Sequence, residues 1–326
     1  MAIKSFLSSL IVANLLWLSA CSSTSSTGRT GGTGTGSSPS RQIPQDIDDE
    51  PDSPTAPVPA PIPQRQDPKK VAVILGPGGI KSFAHVGVLK ALQQQRIPVN
   101  KIVGLEWGAL IAGLYASKGT THDVEWKLYK MEQKNIFEPK GFFARRGGEQ
   151  EISILDDFLK ESFGNEEVSR AKVPFTCPTR ALSTGAVTWQ TRGAFREVMK
   201  RCLMFPPMFK AQGASIAGPS QASEAVEMLV REGYNVIILV NVLGSAMPVA
   251  QDSLAENLNY VILWQEIKRA LSETSRLAIG TTNVDTINVD TSAYPMNQFS
   301  AKKELILQGE SAGQKAGSAL ILKYGF

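Results

Sequence analysis

Residues 71–92 read VAVILGPGGIKSFAHVGVLKAL, and the order of events within them decides the fold class. Val71–Leu75 is a continuous apolar run of strand length, which suits a strand covered on both faces. A glycine-rich turn follows, Gly76-Pro77-Gly78-Gly79-Ile80-Lys81. From Ser82 to Gln95 the apolar residues Phe83, Val86, Leu89 and Leu92 recur at helical spacing, so this segment is predicted to be a helix. A short strand, Lys101–Gly104, and a second apolar helix, Ala109–Ser117, repeat the pattern. Strand, turn and helix repeated in this order predict an α/β domain with a mainly parallel central sheet flanked by helices.

The turn itself narrows the chemistry. A dinucleotide fingerprint requires glycine at position 81, where Lys81 stands, and the spacing of a P-loop is absent too. The remaining reading is an oxyanion hole. Successive glycines let backbone N–H groups converge on an anion, helped by the helix that follows.

Further along, Val173–Arg180 and Val187–Gln190 read as a hairpin around Ser183-Thr184-Gly185. Arg192–Arg201 and Ser220–Glu232 read as helices, the second closed by Gly233. Tyr234–Val242 is a second buried strand, Leu254–Leu277 a long helix, and Ser300–Leu322 the C-terminal helix. Met204, Phe205, Met208 and Phe209 read as core or as the wall of a cleft.

These segments together resemble the patatin-like phospholipase family. VAVILGPGGIKSFAHVGVLKAL is similar to the family's opening, and VGLEWGALIAGLYA (103–116) to its nucleophile turn. VPFTCPTRALSTGAVTW, CLMFPPMF and SIAGPSQASEAVEMLVREGYNVIILVNV resemble its middle and later segments, so the likeness covers roughly residues 70–320. The resemblance implies a patatin-like fold and an acyl hydrolase with a Ser–Asp dyad. The serine would sit in G-x-S-x-G on a sharp strand-to-helix turn. An Asp in a later Asp-Gly-Gly segment would activate it, and the glycine loop would hold the tetrahedral oxyanion.

Carried over residue by residue, both members of the dyad are replaced. The turn reads Gly104-Leu105-Glu106-Trp107-Gly108, with Glu106 at the nucleophile position. The later segment reads Ile216-Ala217-Gly218-Pro219, with Ala217 at the base position. The oxyanion loop, Gly78, Gly79, Ile80 and Lys81, is mostly kept. Lys81 replaces the family's Arg, while Pro77 and Ser82 replace glycines. A carboxylate attacking an ester would have to form an anhydride and expel an alkoxide, a poor nucleophilic route. The reading is therefore a pseudoenzyme that binds either a lipid or fatty-acyl ligand or a protein partner. The rivals are an active phospholipase or esterase and a structural envelope scaffold. Glu106 is expected to point into the oxyanion donors and plug them, against the alternative that it tilts into solvent. A plugged carboxylate should sit below its ordinary pKa of about 4.3, with Lys81 as its candidate partner.

Other residues receive plainer readings. Gly309-Glu310-Ser311-Ala312-Gly313 spells a literal G-x-S-x-G, but it lies inside an expected helix, where no elbow forms. His85 reads as packing. Cys177 and Cys202, one expected on a strand and the other at a helix end, could pair in an oxidising periplasm; their placement disfavours a disulfide, and the sequence leaves the pairing open. No cofactor is implied, and no cluster has metal-ligand spacing.

The N-terminus reads as an address. Met1–Ala20 carries Lys4, an apolar run from Phe6 to Leu18, and small residues. The run is shorter than the roughly 20 residues of a spanning helix, which fits a signal peptide. Leu18-Ser19-Ala20-Cys21 resembles the bacterial lipobox, which implies a lipid on Cys21 and a membrane partner. Ser22 after the Cys resembles outer-membrane lipoproteins facing the periplasm. Residues 21–68 are Ser, Thr, Gly and then Pro-rich, a composition too polar to bury a core, so they read as a disordered tether. Residues 69–326 form the folded domain. With 34 basic and 30 acidic residues among 326, a charge of +4 and 3 Cys, the chain is neither a disulfide scaffold nor a nucleic-acid binder.

Overall fold

The computed structural model describes residues 69–131, 151–205, 209–211, 213–245, 254–280, 282–296 and 298–326. The leader, the tether with Cys21, and Met208 lie outside them. At the centre is β1 (Val71–Leu75), every residue of which is fully buried. It pairs in parallel with β2 (Lys101–Gly104) on one side and β6 (Val236–Asn241) on the other. Beyond β6, the parallel strand β8 (Thr282–Asn288) follows, edged by the antiparallel β7 (Ala278–Ile279). Beyond β2, β3 (Phe175–Ala181) starts parallel. It then makes an antiparallel hairpin with β4 (Val187–Gln190), and β5 (Ser215–Ala217) joins its last residues.

Alternation along β1 sorts the core into two clusters. Val71, Val73 and Leu75 meet a layer that includes α1 (Ala84–Gln94), α2 (Trp107–Lys118) and the C-terminal part of the chain. Ala72 and Ile74 face α6 (Ala222–Arg231) and α7 (Leu254–Thr274). The first layer also holds α3 (Thr121–Lys130), α4 (Asp156–Phe163), α5 (Phe195–Leu203) and α8 (Lys302–Tyr324). The architecture is thus three-layered α/β. From Trp107 to Ser117, α2 is buried on all sides, as expected for a helix that is apolar all round. Among the described residues, no helix is long and apolar enough to cross a membrane.

Three features differ from the sequence reading. The first helix begins as a 3-10 turn, Gly79–Phe83, before α1. The short strand β5 and the pair β7–β8 occupy stretches without a predicted element. In β8 the segment TNVDTIN looks too polar for a sheet interior, yet Asp285 is held by Lys323 at 2.6 Å and by the Tyr324 hydroxyl. The end of α8 thus satisfies the polar group that disguises the strand.

Candidate functional site

The site is assembled where β1 and β2 end. Between β2 and α2 the chain turns on Leu105 and Glu106. Leu105 N–H donates to the Leu75 carbonyl at 2.9 Å, and Ala109 N–H to the Glu106 carbonyl at 2.8 Å. Glu106 takes φ 52° and ψ −124°, a conformation that costs a residue with a side chain about 1–3 kcal/mol. The flanking glycines explain how the turn is held. A Cβ on Gly104 would lie 2.2 Å from Ala109 Cα, and one on Gly108 would lie 2.4 Å from the Leu75 carbonyl oxygen. The turn is pressed against the sheet, and its middle side chain is driven toward the glycine loop.

That side chain meets the loop. Glu106 Oε2 accepts from Gly78 N–H at 3.1 Å and Gly79 N–H at 3.3 Å. Gly79 has φ 54°, which aims its N–H beside that of Gly78. Behind the loop, His85 Nε2–H donates to the Gly76 carbonyl at 2.8 Å. Burial lowers the His85 pKa to about 4, so the ring is neutral at physiological pH. Sequence reading gives His85 only a packing role; the structure shows it tying down the glycine loop. Its position in the first turn of α1 after a glycine run is the available signal.

Glu106 is 2% exposed. Burial pushes its carboxyl up to about 7, against the downward pull of the backbone N–H groups of Trp107, Gly78 and Gly79. This reverses the expectation of a depressed value. Hydrogen bonds of 3.1 and 3.3 Å do not offset removal from water. The group occupies the donors by its volume and hydrogen bonding, and near neutral pH it is divided between acid and carboxylate.

Lys81 does not pair with Glu106. Its ammonium donates to the Leu243 carbonyl at 3.1 Å, and the side chain is fully buried. The 3-10 turn starting at Gly79 carries Lys81 to the β6 side of the loop, and Ile80 N–H is fixed to the Met296 carbonyl at 3.0 Å. Ala217, at the end of β5, is fully buried in an apolar cluster with Leu105 and Phe205. Its N–H donates to the Met204 carbonyl at 2.8 Å, so a methyl group, not an acid, stands there.

The remaining candidates lie apart from this arrangement. Ser311 is exposed in the middle of α8. Phe209 stacks on Trp107 at 6.5 Å, which places it in the core. Cys177 and Cys202 form a disulfide, with Cα atoms 6.1 Å apart, the pairing that the sequence disfavours but leaves open. Their strand and helix end converge in one buried cluster, a juxtaposition that only the tertiary fold creates.

Comparisons with known proteins follow the same outline. Residues 73–224 match the family model described as patatin-like phospholipase. An uncharacterized NTE family protein of Mycobacterium tuberculosis is 24% identical over 151 residues, covering 46% of this chain and 42% of that one. The lysophospholipase nte1 of Neurospora crassa is 24% identical over 181 residues, 53% of this chain and 12% of that protein. The chain therefore spans less than half the length of these relatives. The crystal structure of VipD from Legionella pneumophila aligns with a TM-score of 0.45 and 11% identity, over 77% of this chain and 67% of that one.

Proposed function

Because the chain belongs to the patatin-like phospholipase family, we propose that it is a member whose acyl-hydrolase site is filled and non-hydrolytic, and that it serves by binding a lipid or fatty-acyl ligand. The observation that carries this is the contact of Glu106 Oε2 with the N–H groups of Gly78 and Gly79. Hydrolysis at this site would require a hydroxyl at 106, a base to activate it, and vacant donors for the oxyanion. A carboxyl group stands at 106 and a methyl group at 217, and the donors are occupied. Loss of the nucleophile alone removes about 10⁶ in kcat from a hydrolytic triad.

A second reading is a protein-binding or scaffolding role with a closed cleft. The near-complete burial of Glu106 favours it. In both readings the domain is tethered through residues 21–68 to a lipid on Cys21, in the bacterial envelope and facing the periplasm. Leu18-Ser19-Ala20-Cys21 supports this, as does the Cys177–Cys202 disulfide, a bond that persists in oxidising compartments.

The test is ester and phospholipid hydrolysis by the purified chain beside the double variant Glu106→Ser, Ala217→Asp. No turnover is expected from the wild type, and measurable turnover from the double variant. Wild-type turnover that disappears in Glu106→Ala overturns the proposal. Lipid extraction and native mass spectrometry of the wild type separate a lipid binder from a scaffold.

A further inference from the structure

The Glu106 turn stands at the carboxyl ends of β1 and β2, and cations gather at the opposite end of the same strands. Lys69 precedes β1, Arg96 lies between α1 and β2, Arg170 and Lys172 lead toward β3, and Arg231 closes α6 just before β6. Because these strands run parallel, the residues that precede them meet at one end of the sheet. The strand β4 runs antiparallel to β3 and finishes with Gln190 opposite Cys177, so Arg192 joins them. Contacts tie this end together: Lys70 N–H donates to Asn235 Oδ1 at 2.8 Å, and Val173 N–H to the Ala116 carbonyl at 3.2 Å.

The charges at this end do not balance. Two ion pairs cancel themselves, Lys101 with Glu232 at 2.6 Å and Lys118 with Glu166 at 2.6 Å. Lys70 and Lys172 donate to the backbone carbonyls of Glu232 and Lys118, which leaves their charge in place. Lys69, Arg96, Arg170, Arg192 and Arg231 are exposed, and among the described residues none of them has a carboxylate within salt-bridge distance. The acids left at this end are Asp123, in the first turn of α3, and Glu167, which bridges to Ala194 through its backbone. A positive excess remains on a surface open to solvent.

Helix dipoles account for only part of it. A cation at the carboxyl end of a helix answers the partial negative charge there, which suits Arg231 on α6 and Arg96 just after α1. Lys69 and Arg192 lie on connections, and Arg170 ends a single 3-10 turn, where no such demand exists. The chain also enters the folded domain through this end, since Lys69 joins residues 21–68 to β1. A bilayer held by a lipid on Cys21 is therefore attached to the domain on its cationic side.

We propose that this end of the domain docks on the anionic headgroups of a lipid bilayer, with the Glu106 turn facing away from it. The choice of partner rests on the anchored reading of residues 21–68. A tether brings the domain within reach of the surface, and the cations decide which end lands. Each Lys or Arg near an anionic surface adds to the attraction, which fades within a Debye length. In the docked state, whatever meets the Glu106 turn arrives from the aqueous side.

The test is co-sedimentation of residues 21–326 carrying Cys21→Ser, the processed chain without its lipid, with large vesicles. One set is phosphatidylcholine alone, the other an equal mixture of phosphatidylcholine and phosphatidylglycerol. Binding is expected to be about tenfold or more tighter on the mixed vesicles and to weaken as salt is raised. Arg96→Glu, Arg192→Glu and Arg231→Glu together should weaken it about tenfold or more. The same number of reversals at the carboxyl end, Arg180→Glu, Lys268→Glu and Lys303→Glu, should cost less than about threefold. Equal binding to the two vesicle types overturns the proposal, as does an equal loss from the two triple variants. Thermal melting of each variant confirms that it is folded. The mass of the Cys21 peptide from membrane-isolated chain reads the anchor separately, so failure of the anchor and failure of the docking surface give different results.

Discussion

Two stretches of this chain share one spacing, glycine, two variable positions around a polar centre, and glycine again: Gly104-Leu105-Glu106-Trp107-Gly108 and Gly309-Glu310-Ser311-Ala312-Gly313. Their glycines are required for different reasons. In the first, the chain leaves a strand, reverses through a left-handed residue at φ 52°, and enters a helix, with both glycines pressed on backbone. In the second, the chain is helical throughout. A Cβ on Gly309 would lie 1.8 Å from the Ala84 carbonyl oxygen, and one on Gly87 would lie 1.9 Å from the Ile306 carbonyl oxygen. Those glycines let α8 lie directly on α1. The residue at the centre is buried and strained in one case and solvent-exposed in the other. A pentapeptide therefore acquires chemistry from the strand before it, not from its letters.

The comparison can be broken most forcefully at the helix pair. Gly309→Val places branched carbons where there is only backbone, and helix backbones yield poorly. A loss of roughly 4 kcal/mol or more is expected, or failure to fold, read by urea unfolding. A loss below 1 kcal/mol would mean that the two helices are not in contact at this point.

The next effect lies at the turn and depends on pH. The Glu106 carboxyl is raised from an ordinary 4.5 to about 7, chiefly by burial. Between those values the folded chain keeps a proton that the unfolded chain has released. The stabilising contribution is thus complete below pH 4.5 and is lost as pH rises through 7. Glu106→Gln cannot ionise. Relative to the wild type it should gain roughly 2–3 kcal/mol between about pH 4.5 and pH 8. Urea midpoints across that range supply the check, and a difference that stays flat with pH would contradict the burial account.

The smallest effect belongs to the literal serine motif. Ser311→Ala on the exposed face of α8 should change stability by less than about 0.5 kcal/mol. It should also leave intact any esterase activity gained by the double variant at 106 and 217. Loss of that activity would move the nucleophile to α8.

Much of this arrangement is legible in the residues. The apolar runs of β1 and β6 reveal a buried parallel sheet because no polar side chain interrupts them. The glycine turn and the β3–β4 hairpin carry their own backbone requirements. What stays hidden depends on distant partners. In β8, Asp285 reads as a breaker until Lys323 and Tyr324 arrive from the far end of the chain. Lys81 reads as a partner for Glu106 because both belong to one motif, yet the 3-10 turn sends it to Leu243. The titration of Glu106 sets three N–H donors against loss of water, and the sequence names the donors but not the depth of burial.

The disulfide between Cys177 and Cys202 bears on how copies of this protein meet. Cys177 lies opposite Gln190 in the hairpin whose second strand, β4, ends the sheet among the described residues. An uncovered rim is where one molecule adds to the next or lends a strand to its neighbour. With β3 stapled to the end of α5, the hairpin cannot peel away and exchange into a second copy without breaking a covalent bond. The oxidised chain is thereby steered toward closing on itself.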